Sequence, residues 1–342
     1  MIAPLLLTDR DVLSTAPQPA VDAMHEALTA HADGRLHAPP RARLPLADGD
    51  LVVTAGRLAG SVHGCRVYDT FADGDQLTAV WDGDRLATLV HGRALGPLRT
   101  GAIGAVAARA LARPDSSVLG VIGTGEQAWA QVRCLAAVLP LRSVLVHSRT
   151  PATREAFAAR ATRELGLTAT AVPDARAAVE PCDVLVVATS STTPVLDDAW
   201  VRPGTHVNAV GPKGPGRAEL PRALFERAAP LVTDAPEQAR DYPGGLVVPP
   251  DRLLGLGHVL AGRAAGRTAP GQLSVFCSLG LAGTEVLLAR AIAATASAAA
   301  PPPVAGPSAA ASSPVAGASA PASSPVAGAS APAPLSSLRS PE

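Results

Sequence analysis

The chain has 342 residues, of which 47% are hydrophobic and 17% charged, which is ample for a buried core and favours two domains. It carries 29 basic and 29 acidic residues, so its net charge gives no bias towards nucleic acid or a membrane surface. Its four cysteines are far apart and lack the spacing of metal ligands, which predicts reduced thiols and no metal site. The start has no basic n-region and no apolar run is long enough to cross a bilayer, so we expect a cytoplasmic enzyme without membrane partners.

The first hundred residues predict an α+β unit. An amphipathic helix is expected to begin near Thr15, and an apolar helix is expected over 98–112. Between them, alternating segments separated by Asp and Gly predict an antiparallel or mixed sheet with strands at 50–56, 64–71 and 77–84.

Three arginines of this unit are candidate ligand-binding residues. Arg66 and Arg99 lie at the edges of apolar stretches, and Arg41 lies in the segment PPRARLPL. A buried guanidinium needs an anionic partner such as a substrate carboxylate. The alternative is that these residues are ordinary surface charges.

The middle of the chain alternates between strand and helix patterns. A second helix is expected to open at Thr150 and Pro151, with Thr as N-cap and Pro at the first helical position. Short apolar runs predict buried parallel strands at 118–122, 143–148, 183–190, 205–210 and 230–235. This order is typical of a Rossmann-type, doubly wound α/β sheet.

The first of these strands runs into the segment GTGEQA, which is a G-x-G-x-x-A loop at the start of a helix. Gly123 would make the turn, Gly125 would let the backbone approach a pyrophosphate, and Ala128 would permit close helix packing. The other reading is a tight turn of any α/β protein. The predicted cofactor-binding residues here are Gly123, Thr124, Gly125, Glu126, Gln127 and Ala128.

The end of the second strand indicates the kind of cofactor. An NAD site would place Asp or Glu there, whereas this chain has Ser148, Arg149 and Thr150. A guanidinium and two hydroxyls suit a 2′-phosphate, so NADP(H) is favoured and NAD(H) stays possible. Thr189 and Ser190 are expected as further nucleotide contacts because they end another strand.

The last part of the chain has a different composition. An eleven-residue unit rich in Pro, Ala and Ser repeats from Pro301 onwards, and frequent proline blocks helix while the small residues supply little apolar surface. We therefore predict that 298–342 is disordered.

The segment PLRTGAIGAVAARALARPDSSVLGVIGTGEQA at 97–128 resembles the ornithine cyclodeaminase and mu-crystallin family, whose hallmark is an L-R-T helix leading into such a glycine loop. The resemblance runs from about 5–12 to 274–291. It implies a homodimer whose chains combine a substrate and dimerisation domain with a Rossmann domain. We accordingly place the substrate domain at 1–112, completed by a helix at about 278–297, and the Rossmann domain at 113–277.

The resemblance also assigns site residues position by position. Arg41 and Arg99 match two family arginines that surround a substrate carboxylate, and Arg66 stands where the family has a lysine. Lys213, in VGPKGPGRAEL at 210–220, stands where the cyclodeaminase has its catalytic Asp. Asn208 is expected on the substrate side. Lys213 and Arg66 are the candidate catalytic residues, although Lys213 can also be read as a solvated loop charge.

These departures affect the expected chemistry. An ammonium cannot act as the proton-accepting group of the cyclodeaminase unless its pKa is strongly lowered, and a guanidinium is practically never a proton donor. We therefore expect an NAD(P)H-dependent oxidoreductase that reduces an imino or keto acid next to its carboxylate. The alternatives are an ornithine or lysine cyclodeaminase and a non-catalytic protein that binds NADPH and a small ligand.

Overall fold

The computed structural model describes residues 3–60, 62–71 and 74–299. The described residues up to 299 form one compact unit, which carries two large β-sheets. The elements of the first part of the chain are β1 (Leu5–Thr8), α1 (Asp9–Ser14), α2 (Pro17–Ala32), β2 (Leu36–His37), β3 (Ala42–Leu46), β4 (Gly49–Leu58), β5 (Val62–Asp69), β6 (Gln76–Asp82), β7 (Arg85–Gly92) and α3 (Leu95–Leu111).

The first sheet is mixed, as predicted. Its strand order is β1-β7-β6-β5-β4-β2, with β3 also paired to β4, and β1 runs parallel to β7 while the other neighbours are antiparallel. The helix predicted to begin near Thr15 is α2, which begins at Pro17, while the Thr15 hydroxyl donates to the Asp11 carbonyl at the end of α1. The strand β7 was missing from the predicted elements.

The remaining elements build the second sheet. They are β8 (Val118–Ile122), α4 (Glu126–Ala136), β9 (Ser143–His147), α5 (Pro151–Leu165), β10 (Thr168–Ala171), α6 (Ala175–Val179), β11 (Val184–Val187), β12 (His206–Ala209), β13 (Lys213–Gly214), β14 (Arg217–Ala218), α7 (Arg222–Arg227), β15 (Leu231–Thr233), α8 (Pro236–Arg240), β16 (Leu254–Gly255), α9 (Leu256–Leu260), β17 (Ser274–Cys277) and α10 (Thr284–Ala299), with 3₁₀ turns at Asp198–Trp200 and Pro250–Arg252.

All eight strands of the second sheet are parallel, in the order β10-β9-β8-β11-β12-β17-β15-β16. The five predicted strands are confirmed, and most of their apolar side chains are buried because helices cover a parallel sheet on both faces. β13 and β14 form a separate two-stranded hairpin. No helix in the described part of the chain is long and apolar enough to cross a membrane.

The last helix returns to the first sheet and packs on β5, β6 and α2. Glycines allow the close approach, since a Cβ on Gly56 would lie 2.5 Å from the Cα of Gly283. α10 begins at Thr284, later than the predicted 278, because the Asp234 carboxylate accepts hydrogen bonds from the backbone amides of 279–281 and holds that segment as a loop. α10 extends to Ala299, so residues 298 and 299 of the predicted disordered tail are helical, and the rest of that tail lies outside the described residues.

The contact between α3 and α4 gives a test of the packing. Gly101 of α3 has no room for a side chain, because a Cβ would lie 2.4 Å from the carbonyl oxygen of Ala130. We expect Gly101→Ala to lower the free energy of unfolding by about 1 to 3 kcal/mol, although alanine is the better helix former. Gly271→Ala is the control, because its Cβ would meet no atom within 4 Å. Equal unfolding midpoints in denaturant for the two variants would contradict this packing.

Candidate functional site

The carboxyl ends of the parallel strands meet at one edge of the second sheet, which is where ligands bind in sheets of this type. The chain order reverses at β8, because β9 lies on one side of it and β11 on the other. A cavity of about 1160 Å³ lies at this edge. We call it the large cavity, and its lining includes the segments 122–127, 147–150 and 188–195 together with Val210 and Gly211.

The glycine loop of the large cavity fits a dinucleotide pyrophosphate. Gly123 has φ = 110°, and a Cβ there would lie 2.2 Å from the carbonyl oxygen of Ala188, so the tight turn requires glycine. Gly125 caps α4, and a Cβ on it would meet no atom within 4 Å, which leaves the backbone open to the cavity at a helix N-terminus. Gln127 also lines the cavity, and its buried Oε1 has no hydrogen-bond partner among the described residues.

The predicted cofactor residues surround the large cavity, with one exception. Ala128 is fully buried under the loop, in keeping with its expected packing role. At the end of β9 the Ser148 hydroxyl lies 2.9 Å from that of Thr153, and Arg149 is exposed on the cavity wall. Lining the cavity are Gly123, Thr124, Gly125, Glu126, Gln127, Ser148, Arg149, Thr150, Thr189 and Ser190.

A second cavity, of about 240 Å³, adjoins the first and shares Glu126 and Gln127 with it. We call it the arginine cavity, because Arg66, Arg93 and Arg99 line it. It brings together the two arginines that the sequence marked at the edges of apolar stretches.

Glu285 of α10 binds both of these arginines. Its Oε1 accepts from Arg66 Nη1 at 3.0 Å and from Arg99 Nη2 at 2.7 Å, while Gln76 Oε1 accepts from Arg66 Nε and Nη2. Glu285 is 1% exposed. Burial alone would raise the pKa of its carboxyl, but Arg99 and Arg66 outweigh that effect and lower the pKa to about 2.

Arg41 lies next to Arg99 across Gly280. Its Nη2 donates to the carbonyls of Leu279 and Gly280, at 3.0 and 2.7 Å. A Cβ on Gly280, which has φ = 80°, would lie 2.6 Å from Arg41 Nη2 and 2.7 Å from Arg99 Nη1. The three predicted arginines therefore converge on one place. The buried Nε atoms of Arg41 and Arg99 have no hydrogen-bond partner in the described chain, which leaves donors for a ligand.

Lys213 is held by the backbone. Its Nζ donates to the carbonyls of Val210, Gly211 and Ser278, at 3.3, 2.6 and 3.0 Å, and the residue is only 4% exposed. Burial lowers the pKa of this ammonium. The reading as a solvated loop charge was wrong, because the side chain is buried. The three protons of the ammonium each have an acceptor, so the structure gives no support for proton donation by Lys213.

Glu219 completes a clamp around Gly211. Its carboxylate accepts from the Gly211 amide at 2.5 Å and from the amide and hydroxyl of Thr189, both at 2.8 Å. Burial raises the pKa of Glu219 to about 6, against the opposing effect of these hydrogen bonds. Lys213 and Glu219 thus bind the carbonyl and the amide of the same glycine, and both side chains are buried.

Asn208 does not line any of the cavities described here. Its amide donates to the Gly104 carbonyl and to Gln131, and its oxygen lies 2.9 Å from His206 Nε2. Every polar atom of the side chain is engaged in this buried network, which joins β12 to α3 and α4. The structure therefore does not support the expectation that Asn208 contacts substrate.

A family model for the ornithine cyclodeaminase/mu-crystallin family matches residues 7–299. The chain belongs to that family. The resemblance stated from the L-R-T helix and the glycine loop is therefore confirmed, as is the expected fold class, a doubly wound α/β sheet with a second α+β part.

Solved structures of family members cover most of the chain. An archaeal alanine dehydrogenase dimer with bound NAD is 30% identical, with a TM-score of 0.78, covering 86% of this chain and 96% of the other. The Δ1-pyrroline-2-carboxylate reductase of Thermococcus litoralis, in complex with NADH and L-proline, is 26% identical, with a TM-score of 0.76 and coverages of 86% and 98%. A lysine cyclodeaminase that recognises L-lysine, L-ornithine and L-2,4-diaminobutyric acid is 33% identical, with a TM-score of 0.75 and coverages of 87% and 93%.

Two site residues, Glu285 and Glu219, were missing from the predicted site. The arginines at the edges of apolar stretches correctly predicted an anionic partner. The expected partner was a substrate carboxylate, whereas the structure shows the carboxylate of Glu285. Glu285 is an isolated acid in the apolar segment 279–293, which is a sequence signal for a buried charge. Its partner Arg66 lies 219 residues away, so the local sequence does not indicate the pair. Glu219 follows the hairpin and shows no comparable signal.

Glu285→Gln tests the charge cluster. The pKa of Glu285 is lowered in the folded state, so its stabilisation is fully present above its ordinary pKa and is lost as the pH falls towards 2. At pH 7 we expect the variant to lose about 3 to 5 kcal/mol of unfolding free energy, because two buried guanidinium groups lose their counter-ion. Between about pH 4.5 and pH 2 the variant should lose less further stability than the wild type.

Denaturant unfolding at several pH values measures both effects. Glu226→Gln is the control, because Glu226 forms an exposed pair with Arg222. A parallel pH dependence in the Glu285 variant and the wild type would contradict the assigned ionisation.

Proposed function

We propose that this protein is an NADPH-dependent oxidoreductase that reduces an imino or keto acid at the carbon next to its carboxylate. The observation that carries the proposal is the shared wall of two cavities. Glu126 and Gln127 border both the large cavity, which fits a dinucleotide, and the arginine cavity, which presents guanidinium groups. A carboxylate held by these groups would lie beside the nucleotide.

The charges of the site support a carboxylate ligand. Arg41, Arg66 and Arg99 lie close together and Glu285 neutralises one of the three charges, so the cluster retains positive charge. The unpartnered Nε atoms of Arg41 and Arg99 leave it short of acceptors. An added carboxylate would supply both the missing charge and the missing acceptors.

NADPH, held by the glycine loop and by Ser148, Arg149 and Thr150, would supply a hydride to the carbon of the C=N or C=O bond, and the nitrogen or oxygen would take a proton from solvent. The chain binds the carboxylate through its arginines and so orients that carbon. The Lys213–Glu219 clamp fixes Gly211, which borders the large cavity. Lys213 acts there as a fixed positive charge and a positioning residue, and Arg66 acts in carboxylate binding.

The large cavity favours NADPH over NADH. Within the described chain, Glu126 is the one acidic residue that lines this cavity, and it belongs to the glycine loop and not to the end of β9. Arg149 lies on the cavity wall and forms no ion pair with an acid of the described residues, and the hydroxyls of Ser148 and Thr150 lie beside it. A 2′-phosphate would be attracted at this position.

A cyclodeaminase is the second candidate, because a lysine cyclodeaminase is among the similar structures. That reaction starts from a diamino acid, whose distal ammonium would have to approach the Lys213 ammonium. We also propose that the protein is a homodimer, as the similar archaeal alanine dehydrogenase is.

A spectrophotometric screen tests the proposal. We expect NADPH oxidation with pyrroline-2-carboxylate, piperideine-2-carboxylate, or a 2-oxo acid supplied with ammonium. Release of ammonia from ornithine or lysine without net change of cofactor would establish the cyclodeaminase instead. Tight NADPH binding without turnover on any of these compounds would favour a non-catalytic binding protein.

Arg149→Ala tests the cofactor assignment. We expect the Kd for NADPH to rise about tenfold or more, because a hydrogen-bonded charge on the phosphate is lost, while the Kd for NADH changes little. Fluorescence titration measures both constants. Arg176→Ala, which removes an arginine from an exposed pair with Glu180, is the control. Equal losses for the two nucleotides would refute the phosphate contact.

A further inference from the structure

A third cavity, of about 630 Å³, opens on the other side of Gly211 and shares Val210 and Gly211 with the large cavity. We call it the lysine cavity. Arg41 lines the lysine cavity, and its guanidinium lies beside that of Arg99, which lines the arginine cavity, next to Gly280. A substrate whose α-carboxylate lies near these two guanidinium groups would have the lysine cavity on the side of Arg41.

The charged residues that line the lysine cavity are mainly cationic. Arg41, Arg43, Lys213 and Arg217 line it, and Asp241 is the one acidic residue among its described lining residues. Arg43 pairs with Asp50 at 3.0 Å. The other three cations take part in none of the described ion pairs, since Arg41 and Lys213 donate to backbone carbonyls.

The buried carboxylates near this cavity are already occupied. Both oxygens of Glu219 accept from Thr189 and Gly211, and both oxygens of Asp234 accept from the amides of 279–281. Neither of these carboxylates lines the cavity, so the exposed Asp241 is the one acid among its described lining residues that could receive the distal ammonium of a diamino acid. Donors are more numerous, namely the buried Arg41 Nε without a partner and the side chains of Tyr242, Arg217 and Gln238, whose Nε2 also donates to the Leu279 carbonyl.

We propose that the lysine cavity binds a second carboxylate, so that the substrate is a 2-oxo or 2-imino dicarboxylate. This inference rests on the proposed reductase function and adds the substrate class. Arg217 of the β13–β14 hairpin is the specificity-determining residue, because it lines the cavity, is exposed and is bound to no acid among the described residues. Arg41 lies between the two carboxylate positions.

Reduction of matched substrate pairs, assayed with NADPH and ammonium, tests the proposal. Oxaloacetate is compared with 2-oxobutyrate, and 2-oxoglutarate with 2-oxopentanoate, because each pair differs in the distal carboxylate at equal chain length. For at least one pair, we expect kcat/KM to be at least about tenfold higher for the dicarboxylate than for the monocarboxylate of the same length. One charge-assisted hydrogen bond can supply a difference of this size. Arg217→Gln should reduce this ratio about tenfold, and Arg222→Gln, on the exposed face of α7, should leave it unchanged.

A binding measurement complements the kinetics. Amino acids are titrated by calorimetry into the protein that has been saturated with NADP⁺. We expect aspartate or glutamate to bind more tightly than 2-aminobutyrate or norvaline. Two results would overturn the substrate class and leave the reductase function intact. One is a higher kcat/KM for each monocarboxylate than for its dicarboxylate partner. The other is an equal loss of kcat/KM for both members of a pair in Arg217→Gln. Absence of NADPH oxidation with every 2-oxo acid and cyclic imine would overturn the proposed function as well.

Discussion

One buried carboxylate oxygen organises the ligand-binding side of this molecule. Glu285 Oε1 accepts hydrogen bonds from Arg66 on β5 and from Arg99 on α3, so three distant segments of the chain meet at a single atom. Two buried guanidinium groups would repel each other and would lack full solvation. The Glu285 carboxylate offsets this repulsion. The cluster keeps a net positive charge, which can bind an anionic ligand.

The position of Glu285 depends on small residues elsewhere. Gly56 and Gly283 bring the start of α10 onto the first sheet, and Gly280 lets Arg41 approach Arg99. Asp234 holds the loop before α10 by three amide hydrogen bonds. The second sheet contributes in the same manner, since Gly211 lies between the Glu219 carboxylate and the Lys213 ammonium. The backbone at Gly211, held by these two buried charges, borders both the large cavity and the lysine cavity.

Much of the fold follows from local sequence pattern. Short apolar runs gave the five strands around the glycine loop, because strands buried on both faces have continuous apolar side chains. β10, with the sequence TATA, and β7 lack that signal and were not predicted. The cofactor loop was predictable because its residues are contiguous and their spacing has a physical reason.

The charge partners of the site were not predictable in this way. Arg66 and Arg99 indicated that an anion is near, but the identity of that anion depends on how α10 returns to the first sheet. Asn208 ends a strand at the ligand edge, yet its amide lies in a buried network with Gln131 and His206. Lys213 could be read as a catalyst or as a solvated charge until its three carbonyl acceptors were located.

Isotope transfer tests the reductase function most directly. If the site holds a carboxylate beside a nicotinamide and catalyses net reduction, reaction of an oxo acid and ammonium, or of a cyclic imino acid, with NADPH deuterated at C4 should yield an amino acid. That product should carry one deuterium at its α carbon after use of the correct cofactor stereoisomer. A cyclic amino acid formed from a diamino acid, with ammonia released, no deuterium from added cofactor and no net oxidation of NADPH, would contradict the proposal.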